Sequence, residues 1–329
     1  MTGSIRTIAL AGAGNIGSRL LQSVAQCDPA RVGAIEVYAV EPFEAARQTA
    51  KARFDEVVGD RPHTLRFDGP APEEADLMMA PTDAVNRLAA LKGLVAHTRA
   101  PAVFLEKFLF TDPAEYAEAR RLLDGMGARA WVNCARNVWP GYGDVAERIA
   151  GRGPIRLRVT GPDWNMASNA IHFLALMEML AGEAADAVDA SGLDRETRPS
   201  KREGYLEVTG LLRATTPSGS SAELYSLAGV DAPMRVEVHV EGLELLIEEG
   251  PGILYNLERD GAGGRAVERA DFVMHHTSQL AGLFEALLLG EPCALPEYDQ
   301  SASLHLKTMV ALNTVLRPGA APSEPCLVS

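Results

Sequence analysis

The chain has 329 residues, 47% of them hydrophobic, which is more than one hydrophobic core usually organises, so two domains are expected. Its 44 acidic and 31 basic residues give a formal charge of -13. The acidic side chains are scattered rather than clustered, which argues against nucleic acid or an anionic membrane as partner and leaves a small substrate.

Cys27, Cys134, Cys293 and Cys326 lie far apart without CxxC spacing, and the first residues show no basic segment followed by an apolar one. No apolar run reaches the roughly 18 residues that span a bilayer. Together these features predict a reduced, cytoplasmic protein with no membrane segment.

In chain order, "TIALAG" is a predicted strand, "NIGSRLLQSVAQC" a helix with apolar residues at Ile16, Leu20, Leu21 and Val24, and "IEVYAVE" a second strand. The unit then repeats. "EAARQTAKARFDEVV" is helical, "ADLMMAP" a strand, "TDAVNRLAALKGLVAHT" a helix starting at a Thr or Asp cap, and "PAVFLEKF" a strand, followed by the helix "DPAEYAEARRLLDGMG" and the strand "ARAWVNCAR". This alternation predicts an α/β fold: a doubly wound parallel sheet of the Rossmann type over residues 1–135. From about Gly151 the pattern changes to long alternating runs, "IRLRVTG", "YLEVTGLLRATT", "AELYSLAG", "RVEVHVEGLELLIEEG" and "GILYNLERD". They predict a second, α+β domain over residues 136–329 with a large, mostly antiparallel open sheet. The helices "NAIHFLALMEMLAG", "HHTSQLAGLFEALLLG" and "QSASLHLKTMVALNTVL" flank it, and "RPGAAPSEPCLVS" is predicted coil.

"AGAGNIGSR" places Gly12, Gly14 and Gly17 in GxGxxG spacing directly after a predicted strand and at the start of a predicted helix. In that context Gly12 makes the tight turn, Gly14 lets the backbone approach a pyrophosphate, and Gly17 lets helix and strand pack closely. Asn15 and Ile16 open the helix whose N-terminus would face the phosphates. Glu41, ending the next predicted strand, stands where an acidic residue takes the ribose hydroxyls. A carboxylate there would repel a 2′-phosphate, so NAD is favoured over NADP, although Arg47 lies one turn further on.

The glycine turn, "APT" after a later strand and "EK" after the next together resemble the glucose-fructose oxidoreductase, inositol dehydrogenase and rhizopine-catabolism (MocA) family. The resemblance covers nearly the whole chain. It implies that Ala80, Pro81 and Thr82 line the nicotinamide ribose. It also implies that Glu106-Lys107-Phe108 stands for a Glu-Lys-Pro motif whose lysine serves the reacting centre. Phe108 replaces a proline that often follows a cis bond, and cis costs about 3 kcal/mol for a non-proline residue, so a different backbone route is expected. His172 in "SNAIHFLALMEML" matches the histidine of the family's helix motif, but Ser168 and Ala175 stand where aspartates are usual. Asn169, on the same helix face as His172, is expected to orient substrate or imidazole. The family further implies a homodimer or homotetramer formed through the C-terminal sheet.

Hydride transfer from an alcohol needs a group that removes the hydroxyl proton and a positive charge near the forming carbonyl. His172 is assigned as base or proton relay and Lys107 as the oxygen-polarising partner, with the reverse assignment open. Glu106 would hold the lysine or touch the nicotinamide amide. Arg136, Asn137, Trp139 and Tyr142 in "RNVWPGY" suit a polyol, and Lys201 and Arg202 in "RPSKREGY" suit a phosphate or carboxylate on the substrate. The adjacent pair His275-His276 makes no metal site, because neighbouring helix residues point about 100° apart and no further ligand completes a set.

The expected activity is therefore NAD-dependent oxidoreduction of a sugar, cyclitol or sugar nucleotide. Two alternatives stand beside it: a redox-neutral epimerase or lyase that uses bound NAD transiently, and a non-catalytic NAD-binding regulator.

Overall fold

The computed structural model describes residues 5–69, 71–259 and 265–328. Met1, Asp260 and Ser329, which belong to segments read above from the sequence, lie outside these. Contacts divide the chain into two units, Met1–Asn133 with His275–Tyr298, and Cys134–Met274 with Asp299–Ser329.

The first unit begins with β1 (Ile5–Ala11), α1 (Asn15–Ala25), the single turn α2 (Pro29–Val32), β2 (Ala34–Val40), α3 (Glu44–Val58), β3 (Thr64–Arg66) and β4 (Leu77–Ala80). It continues with α4 (Arg87–Val95), β5 (Ala102–Leu105), α5 (Pro113–Met126) and β6 (Arg129–Val132). The strands form one six-stranded sheet in the order β3-β2-β1-β4-β5-β6, parallel throughout. That order and direction are those of the doubly wound dinucleotide fold. Strands β4 and β5 are buried at every position, as expected for a sheet covered on both faces. In α1 the buried residues Gly17, Leu20, Leu21, Val24 and Ala25 recur at helical spacing, which turns one stripe of the helix onto the sheet.

Helix α4 starts later than the sequence predicts. Asp83 uses its carboxylate to accept from the Asn86 backbone N–H at 2.9 Å, so it closes a turn in front of the helix instead of capping it.

The second unit carries a 3₁₀ turn at Ala135–Val138, α6 (Pro140–Ile149), β7 (Arg156–Pro162), α7 (Met166–Ala181), β8 (Ala187–Pro199), β9 (Leu206–Thr215) and β10 (Ser221–Leu227). Then come β11 (Arg235–Val240), β12 (Leu243–Glu248), β13 (Ile253–Arg259) and β14 (Arg265–Asp271). They make an eight-stranded sheet in the order β14-β13-β12-β11-β7-β10-β9-β8, antiparallel except where β7 meets β10. The run "RVEVHVEGLELLIEEG" is a hairpin, not one strand: it turns at Glu241-Gly242, where the glycine takes φ +75°. Helix α7 packs on β9 and β10.

After β14 the chain forms a 3₁₀ turn at Thr277–Gln279, capped by His276, and α8 (Ala281–Leu289) in the first unit. Ser23 of α1 accepts from the Leu280 N–H at 2.8 Å and donates to the Thr277 carbonyl at 2.7 Å, which ties this return segment to α1. The last helix is α9 (Tyr298–Leu316). No helix among the described residues is long and apolar enough to cross a membrane.

Candidate functional site

Every candidate cofactor residue lies at or after the carboxyl end of a parallel strand in the first unit. In open α/β sheets that edge is where ligands bind. Gly12, after β1, has φ +99°, a conformation that a side chain disfavours. A Cβ on Gly17 would stand 2.0 Å from the Gly12 carbonyl oxygen, so helix and turn touch through the missing side chain. A Cβ on Gly14 would meet nothing within 4 Å. Gly14 is the N-cap of α1 and supplies no side-chain cap, and the first turn has no acidic residue. The N–H groups at Asn15, Ile16 and Gly17 are thus left at the positive end of an 11-residue helix beside open space.

Glu41, after β2, is buried, and its two oxygens accept from the Ala13 N–H at 2.8 Å and the Phe43 N–H at 3.1 Å. The carboxylate therefore lies against the glycine turn and keeps unused lone pairs. Arg47 is engaged by Glu44 and by the Glu41 carbonyl. Beside them Phe43 is 72% exposed. That exposed aromatic, two residues from the carboxylate, was not singled out from the sequence, nor was Arg53, which donates to Ser18 Oγ at 2.6 Å.

Ala80 ends β4, and Pro81 and Thr82 follow it. Both lie against the turn: a Cβ on Gly12 would meet Thr82 Cγ2 at 2.6 Å, and one on Gly17 would meet Pro81 Cγ at 3.2 Å. After β5, Glu106 is buried and accepts from Asn133 Nδ2 at 2.6 Å, Asn133 following β6. Burial pushes the Glu106 carboxyl up, and the Asn133 bond and the Lys107 and Arg87 charges pull it part of the way back. Lys107 is half-buried between Glu106 and the fully buried Phe108. The Lys107-Phe108 peptide is cis. The expectation that Phe108 would redirect the backbone is thereby corrected: the bond that a proline would favour is present without it.

Sequence reasoning missed Arg87, which holds these segments together. It is 1% exposed, and its guanidinium donates to the carbonyls of Ala80 at 3.2 Å, Thr82, Phe108 and Leu109. A planar fork of five donors can serve all four of these carbonyls, which the three donors of an ammonium cannot. An arginine on a helix gave no signal of its own, since most such residues face solvent.

Two buried polar atoms at this edge, Thr82 Oγ1 and Asn133 Oδ1, make no hydrogen bond among the described residues. Such atoms are seldom left without partners. With the uncapped helix start and the space beside Gly14, they fit a nicotinamide dinucleotide at this sheet edge.

In the second unit, α7 is buried along most of its length, and Asn169 and His172 share with Asn165 the one face that is partly open. Asn169 Nδ2 donates to the Trp164 carbonyl at 3.1 Å and the Asn165 carbonyl at 3.2 Å. In the "RNVWPGY" group, two side chains are held by one carboxylate of the same unit. Tyr142 is fully buried and donates to Glu249 at 2.6 Å, and Arg136 donates to both Glu249 oxygens at 2.7 Å. The Arg136 guanidinium also lies 4.0 Å from the centre of the Phe173 ring. Burial, then the Glu249 carboxylate, hold the Tyr142 phenol well above its ordinary value. The Arg136 guanidinium and the Tyr142 hydroxyl are thus engaged inside the unit by Glu249, just after β12, which nothing in the sequence linked to them. Asn137 donates to the Ala175 carbonyl at 3.3 Å, and Trp139 stacks on Tyr142. Lys201 and Arg202 stand exposed on the loop between β8 and β9.

An open cavity of about 800 Å³ between β8 and α9, lined by Ala187, Leu193, Leu306, Lys307 and Val310 among others, contains none of these residues.

No family model and no curated protein matches the sequence. Solved structures do match. One is a UDP-N-acetylglucosamine 3-dehydrogenase from Acidithiobacillus ferrooxidans, at TM-score 0.68 and 16% identity over 95% of this chain and 100% of that one. The fold is that of this dehydrogenase. An NAD-binding oxidoreductase from Klebsiella pneumoniae matches at TM-score 0.63 and 14% identity, over 92% of this chain and 94% of its own. The transcriptional regulator Gal80p from Kluyveromyces lactis matches at 0.66 and 11%, over 93% and 88%. The fold implied by the family resemblance is therefore present, and it is shared by enzymes and by a regulator.

Proposed function

We propose that the protein is an NAD-dependent oxidoreductase acting on a secondary alcohol of a sugar, cyclitol or sugar nucleotide. The observation that carries this reading is the convergence, on one sheet edge, of the uncapped Gly12–Gly17 turn, Glu41, Thr82 and the Glu106-Lys107 pair. Bound NAD would supply the hydride acceptor. The helix N-terminus would neutralise the pyrophosphate, and Glu41 would select the unphosphorylated ribose by repelling a 2′-phosphate.

Lys107 would hold the substrate oxygen and stabilise charge there, while His172 takes the hydroxyl proton. The two roles can exchange, because either side chain can accept a proton or donate a hydrogen bond at neutral pH once its environment adjusts its basicity. Arg87 acts behind them by fixing the segments that carry Thr82 and Lys107.

A panel of sugars, cyclitols and sugar nucleotides incubated with NAD, followed by NADH absorbance, tests the reading. Turnover on one member that falls about 10²-fold or more in Lys107→Ala and in His172→Ala supports it. Turnover unaffected by both substitutions contradicts the assignment.

A second reading is favoured by the shared fold of a transcriptional regulator and by Ser168 and Ala175 at the two positions where the resemblance implies aspartates. On that reading the chain binds NAD and performs no chemistry. NAD binding with no turnover across the panel would support it.

A further inference from the structure

Glu207 is a fully buried carboxylate on β9, facing the start of α7. It accepts from the Ser168 hydroxyl and, at 3.4 Å, from the Ser168 N–H. An acid at the N-terminus of a 16-residue helix is favourable in itself, because it meets the positive end of the macrodipole. That role requires only the N–H. The hydroxyl supplies this buried carboxylate with a second donor.

Ser168 lies one turn before His172, and residues four apart face the same side of a helix. A serine hydroxyl has one proton and two lone pairs. With that proton given to Glu207, Ser168 has only lone pairs to present, and it can meet an imidazole only by accepting from a ring N–H.

The head of the helix is otherwise fixed in place. Asn165 holds φ +58°, the one positive φ at a non-glycine residue among those described, and such positions persist only where surroundings over-determine them. Arg198 on β8 donates to Asn165 Oδ1 at 3.0 Å and to Asp163. Other charges on elements packed against α7 are matched: Arg198 by Asp163, Arg136 by Glu249, and Glu223 of β10 by Arg158. Burial pushes the Glu207 carboxyl up, with the Ser168 bonds and Arg198 pulling it back.

We propose that Glu207 is a positioning residue for His172, acting through Ser168. The serine hydroxyl carries the influence of the buried carboxylate to the imidazole, fixes which ring nitrogen holds the proton, and leaves the other as the basic one. This rests on the reading of His172 as a group at the reacting centre. Its test, however, needs no substrate.

The experiment is histidine-selective ¹⁵N NMR on the full chain, with the His172 signal assigned by its loss in His172→Gln. The ring nitrogen facing Ser168 should carry the proton in the neutral form. Glu207→Gln should lower the His172 pKa by roughly half a unit or more, because a nearby negative charge favours the protonated imidazole. Ser168→Ala should produce a similar fall and shrink the effect of a further Glu207→Gln change to a small remainder, while Ser168→Thr, which keeps the hydroxyl, should restore the wild-type titration. A merely structural cap at Ser168 N–H predicts no such pattern.

The proposal is overturned if His172 titrates identically in wild type, Glu207→Gln and Ser168→Ala, or if Glu207→Gln retains its full effect without the Ser168 hydroxyl. Should Glu207→Gln not fold, the contrast between Ser168→Ala and Ser168→Thr decides alone, and equal titrations in those two variants overturn the proposal. Turnover of the same proteins on the sugar, cyclitol and sugar-nucleotide panel separates the two readings. A coupled His172 in a protein that never turns over would leave this proposal standing and remove the proposed reaction.

Discussion

Arg87 donates from its buried guanidinium to the carbonyl of Phe108, the residue directly after Lys107. The same side chain reaches the Thr82 carbonyl. One cation thus joins the segment after β4 to the segment after β5, and the placement of both candidate cofactor-side residues depends on it. Arg87→Ala should cost about 3 kcal/mol or more in urea unfolding, since several buried carbonyls lose their donors. Arg87→Lys should restore only part of that, because an ammonium has three donors for four carbonyls and lacks the fixed planar fork. Equal stability of all three proteins would contradict the role given to Arg87.

Glu41 holds the Ala13 and Phe43 N–H groups and is assigned to the ribose. Glu41→Gln should weaken NAD binding by about tenfold, the value of one charge-assisted hydrogen bond, and narrow the preference for NAD over NADP. Calorimetric titration with both dinucleotides checks this. An unchanged NAD/NADP ratio would remove Glu41 from cofactor selection.

Burial raises the Glu178 carboxyl above its ordinary value, with the Ala185 N–H and Gln300 opposing. The folded state therefore holds this proton more tightly than the unfolded chain does. The penalty for ionising it is absent below the ordinary value of 4.5 and complete once pH exceeds the raised one. Wild type should accordingly gain stability relative to Glu178→Gln as pH falls from neutral to below 4.5. Urea midpoints of both proteins across that window give the comparison, and a difference that does not change with pH would contradict it.

Cys27 and Cys326 are buried, and burial pushes both thiols up to about 12. Neither offers a thiolate at mildly alkaline pH. Cys293 is half-exposed. Iodoacetamide should label Cys293 on the native protein, and Cys27 and Cys326 only after denaturation, as peptide mass mapping would reveal. Rapid native labelling of Cys27 would show that the segment packed on α1 opens readily.

Much of the fold was legible because its signals are local. The βαβ alternation and the glycine spacing of residues 12–17 gave the parallel sheet, and alternation gave most of the second one. Strand β8 was missed because irregular register between Asp189 and Gly192, and again between Leu193 and Thr197, interrupts its alternation. The return of residues 275–298 to the first unit was equally hidden. An apolar helix pattern declares that a face is buried, but not against which sheet. Gly12, Glu41, Thr82 and Lys107 were proposed for the site from motif positions. Arg87, Glu249 and Glu207 were not, since each acts through a partner distant in sequence.

Gly14 gives the most direct test of the central claim, that the Gly12–Gly17 turn cradles the pyrophosphate of a nicotinamide dinucleotide. A Cβ there meets nothing within 4 Å, and the residue's φ of -64° suits any side chain. Wild type and Gly14→Ala should therefore unfold at the same temperature to within a few degrees, a difference of about 1 kcal/mol at most. In calorimetric titration wild type should bind NAD with one site per chain, and Gly14→Ala should bind at least about tenfold more weakly because the backbone can no longer approach the phosphates. Equal NAD affinity in the two proteins, or no NAD binding by folded wild type, would contradict the account.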